Sequence, residues 1–262
     1  MNAQHNTRAN RAIALVTGGS RGLGRNMALN LAKKGIDVII TYQKSEKAAA
    51  DVLEEIRNAG GKASALQLDV SKPQDYVAFF NTRLKPELER TFNTSTFDFL
   101  INNAGTGYFS PFPVESPQEP VDELINIHFK AGYFFTQLAL PYLNDGGGIV
   151  HVSSGLTRII YPGYAAYASL KAALETLTKY QAKELAGRKI RVNIVAPGAI
   201  ETDFNGGRVR DNKEMNERIA AMTALGRVGL PSDIGPVVAF LCTDESYWIN
   251  AQRIEVSGGQ HL

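Results

Sequence analysis

A single cysteine, Cys242, stands among the 262 residues. No disulfide can form within the chain, and a lone thiol fits a reducing compartment, so a cytoplasmic location is expected. Its setting, Ala239-Phe240-Leu241-Cys242, assigns it to core packing. Histidine is almost as sparse. His5, His128, His151 and His261 show no ligand spacing and have no cysteine pairs to join, which argues against a metal centre. His128 and His151 are read as core or edge residues. No apolar run approaches the length that crosses a bilayer, so no membrane partner is expected. Charge of one sign is also missing: 28 Lys and Arg offset 26 Asp and Glu, a net charge of +2 without the basic footprint of a nucleic-acid binder. The small cluster Arg188-Lys189-Arg191 reads as the basic end of a helix, complementing its dipole. Val152-Ser153-Ser154-Gly155 lacks the G-x-S-x-G elbow of a serine hydrolase. Residues 1–10 are polar, carry no apolar stretch of a secretory signal, and are expected to form a disordered tail.

What is present is ordinary in amount and regular in order. Apolar residues make up 44% and charged residues 21%, enough for one large core. Apolar runs suited to strands fall near 13–17, 37–41, 63–68, 97–101, 147–152, 190–195 and 253–256. Helical patterns lie near 22–34, 45–59, 73–91, 118–143, 165–187, 213–221 and 232–242. This alternation predicts an α/β fold, a doubly wound parallel sheet of about seven strands with helices on both faces. Residues 11–262 are expected to form one domain. The stretch 81–96, with Arg83, Lys85, Glu87, Glu89 and Arg90, reads as a solvated extension of the helix before it, the alternative being a contact with a neighbouring subunit.

The first strand, Ile13-Ala14-Leu15-Val16, runs into Thr17-Gly18-Gly19-Ser20-Arg21-Gly22-Leu23-Gly24 and then a helix. Backbone N–H groups in such a loop face a helix N-terminus and can cradle a pyrophosphate. The glycines at 18, 22 and 24 miss the G-x-G-x-x-G spacing, but the strand–loop–helix context points to a nucleotide. A carboxylate after the second strand would bond a ribose 2′-OH and select NAD. Here the chain has Tyr42-Gln43-Lys44-Ser45, with Arg21 in the loop. Two cations and no acid suit a 2′-phosphate, which favours NADP(H) over NAD(H).

Among ten tyrosines only Tyr167 is followed four residues later by a lysine, Lys171. On a helix these share a face. A neighbouring ammonium favours phenolate, so the Tyr167 pKa is expected to fall toward neutrality and suit the phenol to acid/base work. Ser154 stands thirteen residues before Tyr167 and adds a hydroxyl.

With these motifs in order, the chain resembles the short-chain dehydrogenase/reductase family, from about residue 11 to 262. The resemblance rests on Thr17-Gly18-x-x-x-Gly22-x-Gly24, Leu68-Asp69-Val70, Ile101-Asn102-Asn103-Ala104-Gly105, Pro197-Gly198 with Thr202, Gly226-Arg227-Val228-Gly229 and Ile254-Glu255-Val256-Ser257-Gly258-Gly259. It implies a Rossmann-type fold in which Tyr167 is the general acid/base, Lys171 lowers its pKa and bonds the nicotinamide ribose, and Ser154, rather than Ser153, holds the substrate oxygen. Asn126 would hold a water linking Lys171 to solvent. The implied cofactor contacts are Gly18, Ser20, Arg21, Gly22, Leu23 and Gly24 in the loop, then Tyr42, Gln43, Lys44 and Ser45 after the second strand. Asp69, Val70, Asn103, Ala104 and Gly105 follow, with Tyr167, Lys171, Pro197, Gly198, Ile200 and Thr202 on the nicotinamide side. The reaction is then hydride transfer between nicotinamide and a carbonyl or secondary alcohol.

The substrate is less defined. Leu156, Arg158, Ile159, Tyr161 and Tyr164, with Tyr108 and Phe109, suggest an apolar pocket and a 3-oxoacyl thioester or apolar ketone, the alternative being a sugar or other secondary alcohol. Arg158 either anchors a carboxylate or faces water. Met215, Ile219 and Met222 recur at helical spacing within 202–225, which suggests a mobile lid, the alternative being an ordinary surface helix. The resemblance implies a homotetramer built on the helices 126–143 and 165–186. Asn250-Ala251-Gln252 departs from the family, where a glycine commonly precedes the glutamine. A catalytically silent dinucleotide-binding regulator predicts damage to the catalytic set, and that set is intact.

Overall fold

The computed structural model describes residues 11–112 and 117–262; the tail expected over 1–10 lies outside them. Seven strands carry the fold: β1 (Ile13–Val16), β2 (Asp37–Tyr42), β3 (Ala63–Gln67), β4 (Phe97–Asn102), β5 (Leu143–Val152), β6 (Arg191–Pro197) and β7 (Arg253–Val256). They form one sheet in the order β3-β2-β1-β4-β5-β6-β7, and every pairing is parallel.

A parallel sheet is covered on both faces, so its inner strands are largely apolar. In β1 all four residues are buried. Ala14 and Val16 point into one core, Ile13 and Leu15 into the other. The first core receives Met27 and Leu31 from the helix Gly22–Lys33, Val52 and Ile56 from Glu46–Asn58, and Ile234 and Val238 from Pro231–Leu241. The second receives Phe80, Leu84 and Leu88 from the helical run 73–92, Phe135 and Ala139 from the run 118–142, and Ala182 from Ala165–Glu184.

The chain steps outward from β1 to β2 and β3, then crosses back to place β4 on the other side of β1. Strand order therefore reverses between β1 and β4. In open α/β sheets a crevice forms there, beyond the carboxyl ends of the strands.

Two expectations are corrected. The stretch 81–96 is not simply solvated: Leu84, Leu88 and Phe92 are buried, and their four-residue spacing lays an apolar stripe on the second core. Asn93, at φ 56°, takes the left-handed conformation that ends the run. The cluster Arg188-Lys189-Arg191 does not complement its own helix. The Arg188 guanidinium donates to Leu140 O (2.8 Å) and Asp145 (2.7 Å). Arg191 lies on β6 and donates to Leu241 O (3.0 Å) and Ser246 O (3.0 Å), where the helix Pro231–Leu241 ends. Both arginines neutralise carbonyl ends of distant elements.

Candidate active site

The strand–loop turn after β1 is held by its neighbours. Gly19 N–H donates to Thr41 O (2.9 Å), and the Thr17 hydroxyl accepts from the N–H groups of Asn103 and Ala104 (both 3.0 Å). The Asn103 carboxamide donates to Thr17 O at 2.9 Å. Gly18 and Gly22 have φ of +65° and +55°, which a side chain would strain. A Cβ on Gly24 would lie 2.3 Å from Gly18 O. These constraints leave the loop backbone facing open space beside the helix N-terminus, where neither an acidic residue nor a side-chain cap occupies the first turn.

That space is one end of a cavity of about 720 Å3. Every residue expected to touch the cofactor lines it, from Gly18 through Lys44 and Asp69 to Thr202. Arg21 and Lys44 share this part of the lining with one acid, Asp69, which hydrogen-bonds Gln43 and Ser71. The cavity continues past Ser154, Tyr167 and Lys171 to Met215, Ile219 and Met222, and to Gln260 and His261 at the end of the chain.

β5 and the helix Ala165–Glu184 bring the reactive groups together. Tyr167 and Lys171 are buried on one face of that helix. Ser154, just past β5, hydrogen-bonds the Tyr167 phenol and accepts from Leu156 N–H at 3.2 Å. Lys171 Nζ donates to Val152 O at 2.7 Å and lies 5.7 Å from the Tyr167 ring centroid. The expected lowering of the Tyr167 pKa is corrected: burial pushes the phenol up to about 12, opposed by the Ser154 hydrogen bond. Burial also drives Lys171 down to about 7. Desolvation of two groups without a buried counterion outweighs their mutual influence.

Asn126 is half-buried and lines neither this cavity nor the smaller one behind it. His128 stands there instead. Its ring packs edge-on to Tyr167, with centroids 5.1 Å apart, and its Nε2–H donates to Thr106 O at 2.7 Å. Residues two apart on a helix do not share a face, so only one of the pair can reach Lys171. The sequence reading took His128 for a core residue; its place in the helix facing Tyr167 emerges only with the packing.

Aromatic rings gather around the phenol. Tyr164 and Phe204 lie 6.4 and 5.9 Å from Tyr167, Tyr161 lies 6.0 Å from Tyr164, and Phe109 5.5 Å from Tyr164. Arg208 sits 5.5 Å over the Phe109 ring. Phe204, Arg208, Gln260 and His261 escaped the sequence reading because nothing local ties them to the phenol. Arg158 is exposed and is not among the residues that line the cavity. Its guanidinium pairs with Glu255 (2.9 Å) and donates to Gln260 O (2.7 Å), fastening the segment after Ser154 to the chain terminus.

The family model described as enoyl-(acyl carrier protein) reductase matches residues 18–261. The hydroxynaphthalene reductase-like protein Arp2 of Metarhizium brunneum is 37% identical over 258 residues, 94% of each chain. Among solved structures, the promiscuous reductase LugOII, which catalyses keto-reduction at C1 during lugdunomycin biosynthesis, superposes with a TM-score of 0.90 at 38% identity. The match covers 98% of this chain and 100% of that one. The angucycline C-6 ketoreductase LanV with bound NADP gives 0.89 at 36%, covering 95% of both chains.

Proposed function

Since this chain belongs to the short-chain dehydrogenase/reductase family, we propose that it is an NADP(H)-dependent reductase of flat aromatic or polyketide-type ketones. The observation that carries the substrate class is the set of rings Tyr161, Tyr164 and Phe204, which line the cavity beside Tyr167; Phe109 packs on Tyr164 but is not among the lining residues. Aromatic walls favour a planar ring system, which stacks or packs edge-on against them. The names of the similar proteins, a hydroxynaphthalene reductase-like protein, a keto-reductase of lugdunomycin biosynthesis and an angucycline C-6 ketoreductase, agree with this class. A 3-oxoacyl thioester has no ring to pack against them, and a sugar would bring hydroxyls to a largely aromatic wall.

The glycine cradle, the exclusion of a side chain at Gly24, and the cations Arg21 and Lys44 fit NADP(H); the LanV structure contains NADP. When bound, this cofactor supplies the hydride. The chain supplies the rest. Ser154 and Tyr167 converge on one point and donate to the carbonyl oxygen, polarising it. As charge develops, the Tyr167 O–H bond breaks and its proton goes to that oxygen. Lys171 then returns a proton to the phenolate. With its pKa near 7, it can both give and take one at neutral pH. Thr202 and the backbone of Pro197–Gly198 bound the nicotinamide side of the space.

We extend the reading to a homotetramer. Tyr133 and Phe134 on the run 118–142 and Tyr180 on Ala165–Glu184 are exposed aromatics on the two helices expected to form its interface. Light scattering at micromolar concentration should give four times the chain mass, and a monomer would reject this part.

The test of the activity is oxidation of NADPH and NADH with bicyclic aromatic ketones, 3-oxoacyl thioesters and sugars. Turnover is expected with NADPH and the bicyclic ketones. A higher kcat/KM for the thioester or the sugar would overturn the substrate class. NADPH binding without turnover on any carbonyl would favour a silent regulator.

A further inference from the structure

The segment that carries Ser154 is tied on both sides to one carboxylate. Glu175 Oε1 accepts from the Ser153 hydroxyl at 2.6 Å, and Arg253 Nε donates to it at 2.8 Å. The Thr157 hydroxyl lies 2.8 Å from the same oxygen and 2.9 Å from Ser154 O, with one hydrogen to give. Arg253 Nη2 donates to Thr157 Oγ1 at 3.0 Å, and its Nη1 donates to Glu255 at 3.0 Å. The Arg253 and Glu175 side chains are only 23% and 17% exposed. Charge-assisted bonds withdrawn from water in this way are stronger than neutral ones. Glu175, Thr157 and Arg253 all stand outside the cavity lining.

Glu175 follows Lys171 by four residues and Tyr167 by eight, so all three share the helix face turned to the end of β5. The two hydroxyls of the site come from different elements, Tyr167 from this helix and Ser154 from the segment after β5. They must converge on one carbonyl oxygen, and such constellations need placement to within about 0.5 Å. We propose that Glu175 is a positioning residue: it fixes Ser154 against Tyr167 by holding Ser153 and Thr157 on the helix that carries the phenol. This rests on the reductase reading above. Arg253 steers the carboxylate from β7, so helix and sheet set the spacing of the two hydroxyls together. Glu175 transfers no proton and touches no reacting atom; it acts through Ser154.

Glu175→Ala removes the shared acceptor and leaves Arg253 its pairing with Glu255. The kcat should fall about 10- to 100-fold, the scale of a catalytic group misplaced by about 1 Å. Ketone KM and NADPH affinity should stay within about twofold. Glu175→Gln keeps an acceptor oxygen for the two hydroxyls and should recover most of the loss. In Ser154→Ala protein no hydroxyl remains to be positioned, so Glu175→Ala should cost less than about threefold more. The full loss in that background, or equal losses in the Ala and Gln variants, would assign Glu175 to the fold and overturn the proposal. Should Glu175→Ala not fold, Ser153→Ala with Thr157→Val cuts both ties and spares the Glu175–Arg253 pair. A kcat within about twofold of wild type in that double variant would equally overturn the proposal.

Crystal structures of the wild type and Glu175→Ala with NADP(H) need no substrate. Ser154 Oγ should move by more than about 0.5 Å relative to the Tyr167 hydroxyl in the variant. An unmoved Ser154 would overturn the proposal even if no carbonyl is turned over. A shifted Ser154 in a protein that reduces no ketone would reject the reductase reading and uphold the placement of Ser154 by Glu175.

Discussion

A phenol pushed up to about 12 beside a lysine drawn down to about 7 is not the pair that charge–charge reasoning from spacing alone anticipates. The Tyr-x-x-x-Lys spacing correctly put both groups on one helical face, but spacing carries no information about burial, and burial dominates. Tyr167→Phe removes the hydroxyl while keeping the ring among Tyr164, Phe204 and His128. As the proposed general acid, it should lose about 10²- to 10⁴-fold in kcat, with the melting temperature and NADPH affinity nearly unchanged. A kcat within threefold of wild type would remove Tyr167 from the acid role. Asn126 lies off both cavities for a related reason: a carboxamide suits the chemistry, but the wider π-helical turn of Ile125–Phe135 decides which of its residues faces the site. The departure noted at Asn250-Ala251-Gln252 has a backbone meaning. Ala251 takes φ +58°, a left-handed conformation that Cβ penalises. Its N–H still reaches Val192 O at 2.9 Å. Ala251→Gly should therefore raise stability by about 0.5–1 kcal/mol despite the added freedom of the unfolded chain. A lower midpoint in urea would contradict the strain argument.

At the scale of elements, helices and strands were legible where a local apolar pattern marks them, even where no residue is fully buried. The run 213–221 was placed at its observed ends, Lys213–Ala221, and 253–256 coincides with β7. The run 81–96 was misjudged because its charged residues stand between the apolar ones, and only the stripe Leu84, Leu88 and Phe92 meets the second core. Leu88→Ala should cost about 2–5 kcal/mol, the range for a buried leucine. A cost under 0.5 kcal/mol would restore the solvated reading. The segment after Thr202 has its apolar residues Met215, Ile219 and Met222 on the cavity wall. Three side-chain ties hold it along the cavity, Asn216 to Glu201 (2.7 Å), Arg218 to the Tyr161 hydroxyl (2.8 Å) and Asn205 to the Tyr164 hydroxyl (3.1 Å), while backbone bonds fasten its end at Met222, Ala224 and Leu225 to residues 258–261. Two of these partners are the aromatic residues proposed to meet the substrate. Backbone amide exchange across 208–221 should accordingly slow when NADPH and an aromatic ketone bind together. Unchanged exchange would make this an ordinary surface helix and not a lid.

For the whole molecule, the alternation of apolar runs and helical patterns was enough for a seven-stranded parallel sheet, because the inner strands β2, β1, β4, β5 and β6 are largely buried and stand out in the sequence. What brings Gln260 and His261 to the cavity is different: long-range pairing of β7 with β6 and the Arg158–Glu255 tie, neither of which leaves a local pattern. The same completeness of burial predicts how the fold responds to pH. His151 is fully buried, donates from Nε2 to Gln181 Oε1 (2.7 Å), and accepts at Nδ1 from Asn102 Nδ2 (3.2 Å). Burial lowers its pKa to about 4 from the usual 6.5. Between those values the unfolded chain binds a proton that the native ring refuses, so stability rises with pH across the window and is lost as pH falls through it. The full difference is about 3 kcal/mol. Lys171 works in the same direction at higher pH, since the unfolded chain holds its proton up to about 10.5 and the native chain releases it near 7. Cys242 opposes this above pH 9: burial raises the thiol to about 12, so only the unfolded chain ionises there. The unliganded protein should therefore be most stable on the alkaline side of neutrality and weaken steadily from pH 6.5 toward 4. Urea unfolding at intervals between pH 4.5 and 9 measures this directly, and a flat midpoint between 6.5 and 4.5 would mean that His151 is protonated in the native protein, with its contacts to Gln181 and Asn102 rearranged.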